Sequence, residues 1–305
     1  MPLKYGVIGT GALGGFYGGK LAQTGSDIHF LFRSDFDFVN ENGLRIDSVK
    51  GDFHVTDVAC YSSSSDMPKC DVILVCLKTT SNQYLPEILG PIVHEDTLVI
   101  LIQNGLGVEE QLASNMPDLK IAGGLAFICA QKTGPGYIQH LDLGRLIIGD
   151  YSSQNQQLLD HVCADIQQAG VQAKVSNNLA YSRWQKLVWN VPFNGLTVVM
   201  NATTDQLLSD ENTSKLALEM MLEVVGAANA CGLDLEADFA HRMFEMTKSM
   251  TPYSPSMKLD YDHKRPMEIQ TIYSNPVQVA KASGYEMKKV AALEKQLRAI
   301  EARIN

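Results

Sequence analysis

Residues 9–14 read Gly-Thr-Gly-Ala-Leu-Gly, directly after the apolar run Tyr5-Gly-Val-Ile and before a small-residue stretch reaching about Gln23. A strand that enters such a turn and leaves as a helix restricts the fold sharply. Gly9 permits the tight turn, Gly11 lets a pyrophosphate approach the backbone, and Gly14 lets helix lie close on strand. The helix start offers amides and a partial positive charge to an anion. Gly9, Thr10, Gly11, Ala12, Leu13 and Gly14 are therefore assigned to the phosphates of a dinucleotide. The alternative, a glycine-rich turn with no ligand, fits this context less well.

The chain beyond the turn supports an α/β reading. Strand-like runs recur at 27–32, 71–77 and 97–102, and after their first residues the last two are continuously apolar, as in a parallel sheet covered on both faces. Helical segments alternate with them, which predicts a Rossmann-type, doubly wound sheet. Asn42-Gly43 is a turn signal between segments expected to pair as a hairpin. Gly134-Pro135-Gly136 marks a turn, with short strands expected around 137–140 and 145–148. A helix over about 156–169 and a strand over 171–175 complete this part, and the boundary falls near Asn177-Asn178. After it, strand signals fade. Helices are predicted over 211–230, 239–250 and 266–282, with a loop at 251–256. Apolar residues at 290, 293, 297, 300 and 304 form a narrow stripe suited to packing on a neighbour. The division is a dinucleotide-binding domain over 1–178 and an all-helical domain over 179–305 for substrate and dimerisation.

The bulk properties exclude several classes. A chain of 305 residues is comfortable as two domains. Its formal net charge of −9 argues against nucleic-acid binding, which needs a basic face. No apolar run approaches the roughly 20 residues that span a membrane. The six cysteines form no Cys-x-x-Cys pair and lie mostly in apolar contexts. They read as reduced thiols of a cytoplasmic protein, with no metal site expected. The helical second domain with its terminal stripe is compatible with a homodimer.

Three further positions follow strand ends, where ligands of open α/β sheets bind. Arg33 stands at the end of the second strand, where an NAD site usually carries an acidic residue. A cation there suits a 2′-phosphate and points to NADP, unless Asp35 serves as the acidic residue instead. Lys78 follows the third strand and could hold a phosphate or carboxylate. Asn104, with Gly105 and Gly107, follows the fourth in a turn that can approach a ring closely.

The run from 183 to 197 is apolar enough to be core, yet Lys186, Asn190 and Asn194 recur every four residues. On a helix they form one slowly drifting polar stripe. A buried lysine and two amides need partners, because unpaired they cost several kcal/mol each. Taken alone, the stripe reads equally as well-paired structure or as a site.

These features together resemble the ketopantoate reductase family (2-dehydropantoate 2-reductase). The resemblance rests on the turn at 9–14, Lys78, Gln103-Asn-Gly-Leu-Gly, Gly134-Pro-Gly136 with His140, and Trp184-x-Lys186-Leu-x-x-Asn190. Pro255-Ser256-Met257 and Glu268 within Arg-Pro-Met-Glu-Ile extend it over nearly the whole chain. It implies reduction of 2-dehydropantoate to pantoate by NADPH, on the route to pantothenate and coenzyme A. It also implies Lys186 as catalytic acid, Glu268 holding the reacting oxygen, Asn190 and Asn194 orienting substrate, and Ser256 binding the substrate carboxylate. Asn104 would sit by the nicotinamide, and Arg33 and Lys78 would grip the 2′-phosphate end.

The chemistry needs such groups. Hydride addition to a carbonyl carbon builds negative charge on the oxygen, which an adjacent ammonium stabilises and protonates. Burial lowers a lysine pKa and makes it a better acid. Departures from the family pattern lie at Tyr253, Lys258, Gln270 and Gly195, around the substrate rather than the cofactor. Two other readings stand beside the first: an NADP-dependent reductase of another small 2-oxo or 3-hydroxy acid, and a non-catalytic NADPH-sensing regulator. The Lys186 stripe speaks against the sensor.

Overall fold

The computed structural model describes residues 2–304 apart from Thr251 and Tyr253. It divides into two compact units, one comprising the chain up to Gln103 with Val108–Leu179, the other Asn104–Gly107 with the chain from Ala180 onward.

The first unit is built on β1 (Lys4–Ile8), α1 (Ala12–Gln23), β2 (Asp27–Leu31), α2 (Phe36–Asn42), β3 (Leu44–Ser48), β4 (Phe53–Val55) and β5 (Ala59–Tyr61). β6 (Val72–Val75), α3 (Leu85–Leu89), β7 (Leu98–Ile102), α4 (Val108–Asn115), β8 (Lys120–Gly134), β9 (Tyr137–Asp150), α5 (Gln156–Gln168) and β10 (Ala173–Ser176) follow. The strands form one sheet in the order β4-β3-β9-β8-β7-β6-β1-β2-β5, with β10 also paired to β9. From β8 to β5 all pairings are parallel. Alternate residues of the central strands enter opposite cores, which explains their unbroken apolar sequence. Val72, Leu74 and Ile100 pack with Phe16 and Tyr17 of α1 and Leu159 of α5. Ile73, Val75, Val99 and Leu101 pack with Leu85, Leu89, Val108 and Leu112 of α3 and α4.

Two local expectations are corrected. Asn42-Gly43 does not turn a hairpin. Residues 36–42 are helical, and Gly43, at φ +75°, ends that helix. The strand after it pairs with β4 and β9. The short strands expected around 137–140 and 145–148 are one strand, β9, antiparallel to the long β8 that no sequence pattern announced. The register shifts near Leu143, whose φ is +64°, and Gly144, at +112°. Before this irregularity β9 pairs with β3, and after it with β10. His140 is buried just ahead of it, its Nδ1 2.8 Å from the Ser48 hydroxyl and its ring against Phe16.

The second unit is helical: α6 (Leu179–Val199, its first residue grouped with the other unit), α7 (Thr204–Ser209), α8 (Glu211–Ala230), α9 (Phe239–Lys248), α10 (Ser256–Asp262), α11 (Asn275–Ala282) and α12 (Lys288–Ile304). Its core joins Trp184, Val188, Val191 and Leu196 of α6 to Met221 and Val224 of α8, Phe244 of α9 and Ile272. The stripe on α12 is part of this core, with Val290, Leu293 and Leu297 essentially inaccessible. Three residues of the stripe are therefore covered within their own unit. No helix among the described residues is long and apolar enough to cross a membrane.

Candidate active site

The first unit carries the phosphate turn at the end of β1. Gly9 adopts φ +87°, and a Cβ there would lie 2.5 Å from the Leu77 amide nitrogen. A Cβ on Gly14 would lie 2.4 Å from the Gly9 carbonyl oxygen. Both contacts are with backbone, so only glycine fits. At Gly11, by contrast, a Cβ would meet nothing within 4 Å. The turn is thus closed below and open where a phosphate would approach. No side chain caps α1, and no acidic residue stands in its first turn, so its N-terminal dipole is uncompensated. The Thr10 hydroxyl donates to the Leu31 carbonyl at 3.1 Å and ties the turn to the end of β2.

Arg33, two residues beyond β2, is exposed. Asp35 is 5% exposed and already engaged: Lys132 Nζ lies 2.6 Å from it and the Gly136 amide donates to it at 3.0 Å. Burial alone would raise its pKa. The Lys132, Gly136 and Ser34 hydrogen bonds outweigh burial and hold the carboxyl below its usual range. An aspartate so committed is poorly placed to accept from a ribose, whereas a cation remains at Arg33. Lys78 is exposed beyond β6, just before the short helical turn Thr79–Tyr84.

Sequence reasoning missed one feature here. Gln103 Nε2 donates to Asn82 Oδ1 at 2.7 Å and to the Leu77 carbonyl at 2.8 Å, while Asn82 Nδ2 donates back to Gln103 Oε1 at 3.2 Å. This buried amide pair joins the chain after β6 to the end of β7. Gln103 next to Asn104-Gly105 was a visible signal; its partner 21 residues away was not.

The second unit holds the polar stripe. Lys186 is half-buried by surface area, but protein atoms surround its ammonium. This desolvation pushes its pKa down to about 7; Arg183 acts in the same direction, and Glu268 opposes both. Arg183, one helical turn earlier, is 3% exposed and was not singled out from sequence. Glu268 is 4% exposed and accepts a hydrogen bond from Asn104 Nδ2 at 3.3 Å. Asn190 is buried on the same helix. Asn194 accepts from the Met257 amide at 3.2 Å. Its carboxamide oxygen therefore satisfies an amide in the first turn of α10, the element that begins with Ser256. Asn194 is thereby tied through its oxygen to the residue that follows Ser256.

The departures from the family pattern also have places. A Cβ on Gly195 would lie 2.7 Å from the Tyr273 hydroxyl, which donates to the Val191 carbonyl at 2.9 Å. Glycine at 195 is what lets Tyr273 reach α6 beside Pro192. Lys258 is ion-paired with Asp262 on its own helix. Gln270 bonds to Asn275 and Arg298. Tyr253 lies outside the described residues.

Known proteins match this chain along its length. A family model described as "Ketopantoate reductase PanE/ApbA" matches residues 5–153, and one described as "Ketopantoate reductase PanE/ApbA C terminal" matches 178–301. A 2-dehydropantoate 2-reductase of Nostoc sp. is 44% identical, over 98% of this chain and 96% of the relative. A crystal structure of 2-dehydropantoate 2-reductase from Geobacter metallireducens superposes with a TM-score of 0.94 at 36% identity, covering 97% of this chain and 99% of the other. One from Methylococcus capsulatus gives 0.91 at 32% identity, covering 99% and 98%.

Proposed function

The chain belongs to the ketopantoate reductase family, and we propose that it reduces 2-dehydropantoate to pantoate with NADPH, Lys186 serving as the general acid. The observation that carries the reading is the Lys186 ammonium, brought to a pKa of about 7 by burial, in electrostatic reach of the buried Glu268 carboxylate. A proton donor tuned near neutrality is what carbonyl reduction requires.

Bound NADPH supplies the hydride. The turn Gly9–Gly14, open at Gly11, would hold its pyrophosphate, and Arg33 with Lys78 its 2′-phosphate. The engagement of Asp35 by Lys132 supports NADP over NAD. As charge grows on the substrate oxygen, the Lys186 ammonium stabilises it and transfers its proton there. Glu268 keeps that lysine protonated against desolvation and Arg183, and Asn104 donates to Glu268 to fix its orientation. Asn190 orients the substrate from the same helical face as Lys186. Ser256, held through the Asn194 cap on Met257, binds the substrate carboxylate. The product would enter pantothenate and coenzyme A synthesis.

A second reading, reduction of a different small 2-oxo acid, is favoured by the departures at Gly195 and Lys258. Steady-state oxidation of NADPH with 2-dehydropantoate and a panel of 2-oxo and 3-hydroxy acids separates the two. The proposal predicts the highest kcat/KM for 2-dehydropantoate. A larger value for another 2-oxo acid would replace it, and tight NADPH binding without turnover of any acid would favour a sensor.

A further inference from the structure

The turn Asn104–Gly107 is held by a set of hydrogen bonds that the reaction itself does not explain. The Leu106 amide donates to the Thr271 carbonyl at 2.9 Å, and the Leu106 carbonyl accepts from Asn275 Nδ2 at 2.7 Å. Gly105, at φ +90°, lies so close that a Cβ would sit 2.3 Å from the Thr271 oxygen. The turn is thus clamped against the first turns of the helix that follows Glu268.

The sequence explains why the Thr271 carbonyl can receive a bond from outside its helix. Residues Gln270–Ser274 are wound wide, as a π-turn, and the Asn275 amide bonds back to the Gln270 carbonyl. In an α-helix that amide would have bonded to Thr271. In π-winding Thr271 would look to residue 276, which is Pro276 and has no N–H. The wide turn and the proline together turn this carbonyl toward Leu106.

A second layer orients Asn275. Gln270 Nε2 donates to Asn275 Oδ1 at 2.8 Å, which leaves Asn275 Nδ2 directed at Leu106. Gln270 Oε1 in turn accepts from Arg298 at 2.9 Å, and Arg298 is braced by Glu294 at 3.0 Å and Ser274 at 2.5 Å. Each carboxamide has its donor and acceptor ends fixed by its neighbour. The relay runs from α12 to the residue pair beside Asn104, whose own carboxamide rests on Glu268.

We propose that Gln270 and Asn275, braced by Arg298, are positioning residues for the reduction: they hold the Asn104–Gly107 turn so that Asn104 stays on the Glu268 carboxylate. The inference rests on the roles given above to Glu268 and Lys186. It also gives Gln270, a departure from the family pattern, a role in aligning the acid pair rather than in selecting substrate.

The test uses Asn275→Asp and Gln270→Met in the full-length protein. Asn275→Asp is isosteric and puts an oxygen against the Leu106 carbonyl; Gln270→Met removes both ends of the relay. Amide hydrogen exchange at Leu106 reads the clamp without any turnover and should quicken about tenfold or more in both variants, the loss of about one hydrogen bond. With NADPH and 2-dehydropantoate, kcat should fall about tenfold. KM for NADPH should stay near the parent value. The basic limb of the pH profile should move to lower pH, because a less well held Glu268 supports the Lys186 charge less. Parental exchange at Leu106 overturns the proposal. So does a loss of kcat that follows a fall in Tm while the pH limb stays in place. If the parent itself reduces no 2-oxo acid, the assigned function fails, and Leu106 exchange still decides the clamp.

Discussion

Replacing Lys186 by methionine should change how stability depends on pH. In the folded chain the ammonium titrates at about 7, against an ordinary value of 10.5 in the unfolded chain. Below pH 7 both states are protonated, and the folded state bears the full cost of a buried cation. Between the two values the unfolded state binds up to one proton more, so folding stability rises with pH. The slope is at most about 1.4 kcal/mol per pH unit. Lys186→Met keeps the length of the side chain and removes the charge. It should therefore be more stable than the parent at pH 6, with the gap closing by roughly 1–2 kcal/mol between pH 7.5 and 9, a value discounted for the partial exposure of Lys186. The assay is urea unfolding of both proteins under reducing conditions across that range. Comparing the two is essential, because burial pushes Cys70 and Cys76 up to about 12 and Cys163 up to about 11, and these thiols tilt both curves the opposite way. A difference between variant and parent that stays constant from pH 7 to 9.5 would refute the depressed lysine pKa.

Arg33→Ala should weaken NADPH binding by roughly 10- to 100-fold, the value of a charge-assisted contact, and NADH binding far less; equal losses for both cofactors would remove the 2′-phosphate role. Asp35→Asn should lower stability by about 1–2 kcal/mol at neutral pH, since Lys132 is partly solvated. Because the Asp35 pKa is depressed by its partners, that contribution is present above the ordinary carboxylate pKa and lost as pH falls through the folded value, so parent and variant should converge in acid unfolding curves. Asn194→Ala should cost about 1 kcal/mol through the lost cap on α10 and raise KM for the 2-oxo acid through Ser256, with KM for NADPH unchanged. An unaltered KM for the acid would separate Asn194 from Ser256.

What the sequence disclosed depended on the range of the physics involved. The strand–turn–helix at 5–23 is local, and its glycines meet backbone as the motif requires. The apolar strands at β6 and β7 were legible because burial on both faces leaves no polar position. β8 was not, since its Ile-Ala-Gly-Gly-Leu-Ala run has neither strict alternation nor bulky β-branched continuity. Asn42-Gly43 misled because a glycine with positive φ ends a helix as readily as it turns a hairpin. The α12 stripe is apolar as its spacing suggests, but which surface covers Val290, Leu293 and Leu297, here their own unit, has no local signal. In the candidate site, the four-residue recurrence of Lys186, Asn190 and Asn194 was visible as a pattern, whereas the partner of each was not. Pairings such as Asn104 with Glu268, 164 residues apart, or Asp35 with Lys132, 97 apart, carry no sequence signal. Such pairings, like those of Asn194 with the Met257 amide and Asp35 with Lys132, are set by the fold and not by sequence spacing.

The central claim is that Lys186 donates the proton. It is tested most directly by Lys186→Ala in an assay that measures NADPH binding and single-turnover reduction of 2-dehydropantoate on the same preparation. The account predicts NADPH affinity within a few-fold of the parent and a reduction rate lower by roughly three orders of magnitude. In the parent, kcat/KM at saturating NADPH should decline as pH rises through about 7, where Lys186 loses its proton, and the residual rate of the variant should lack that limb. A variant that reduces the acid within a few-fold of the parent rate, or that keeps the same pH limb, would contradict it.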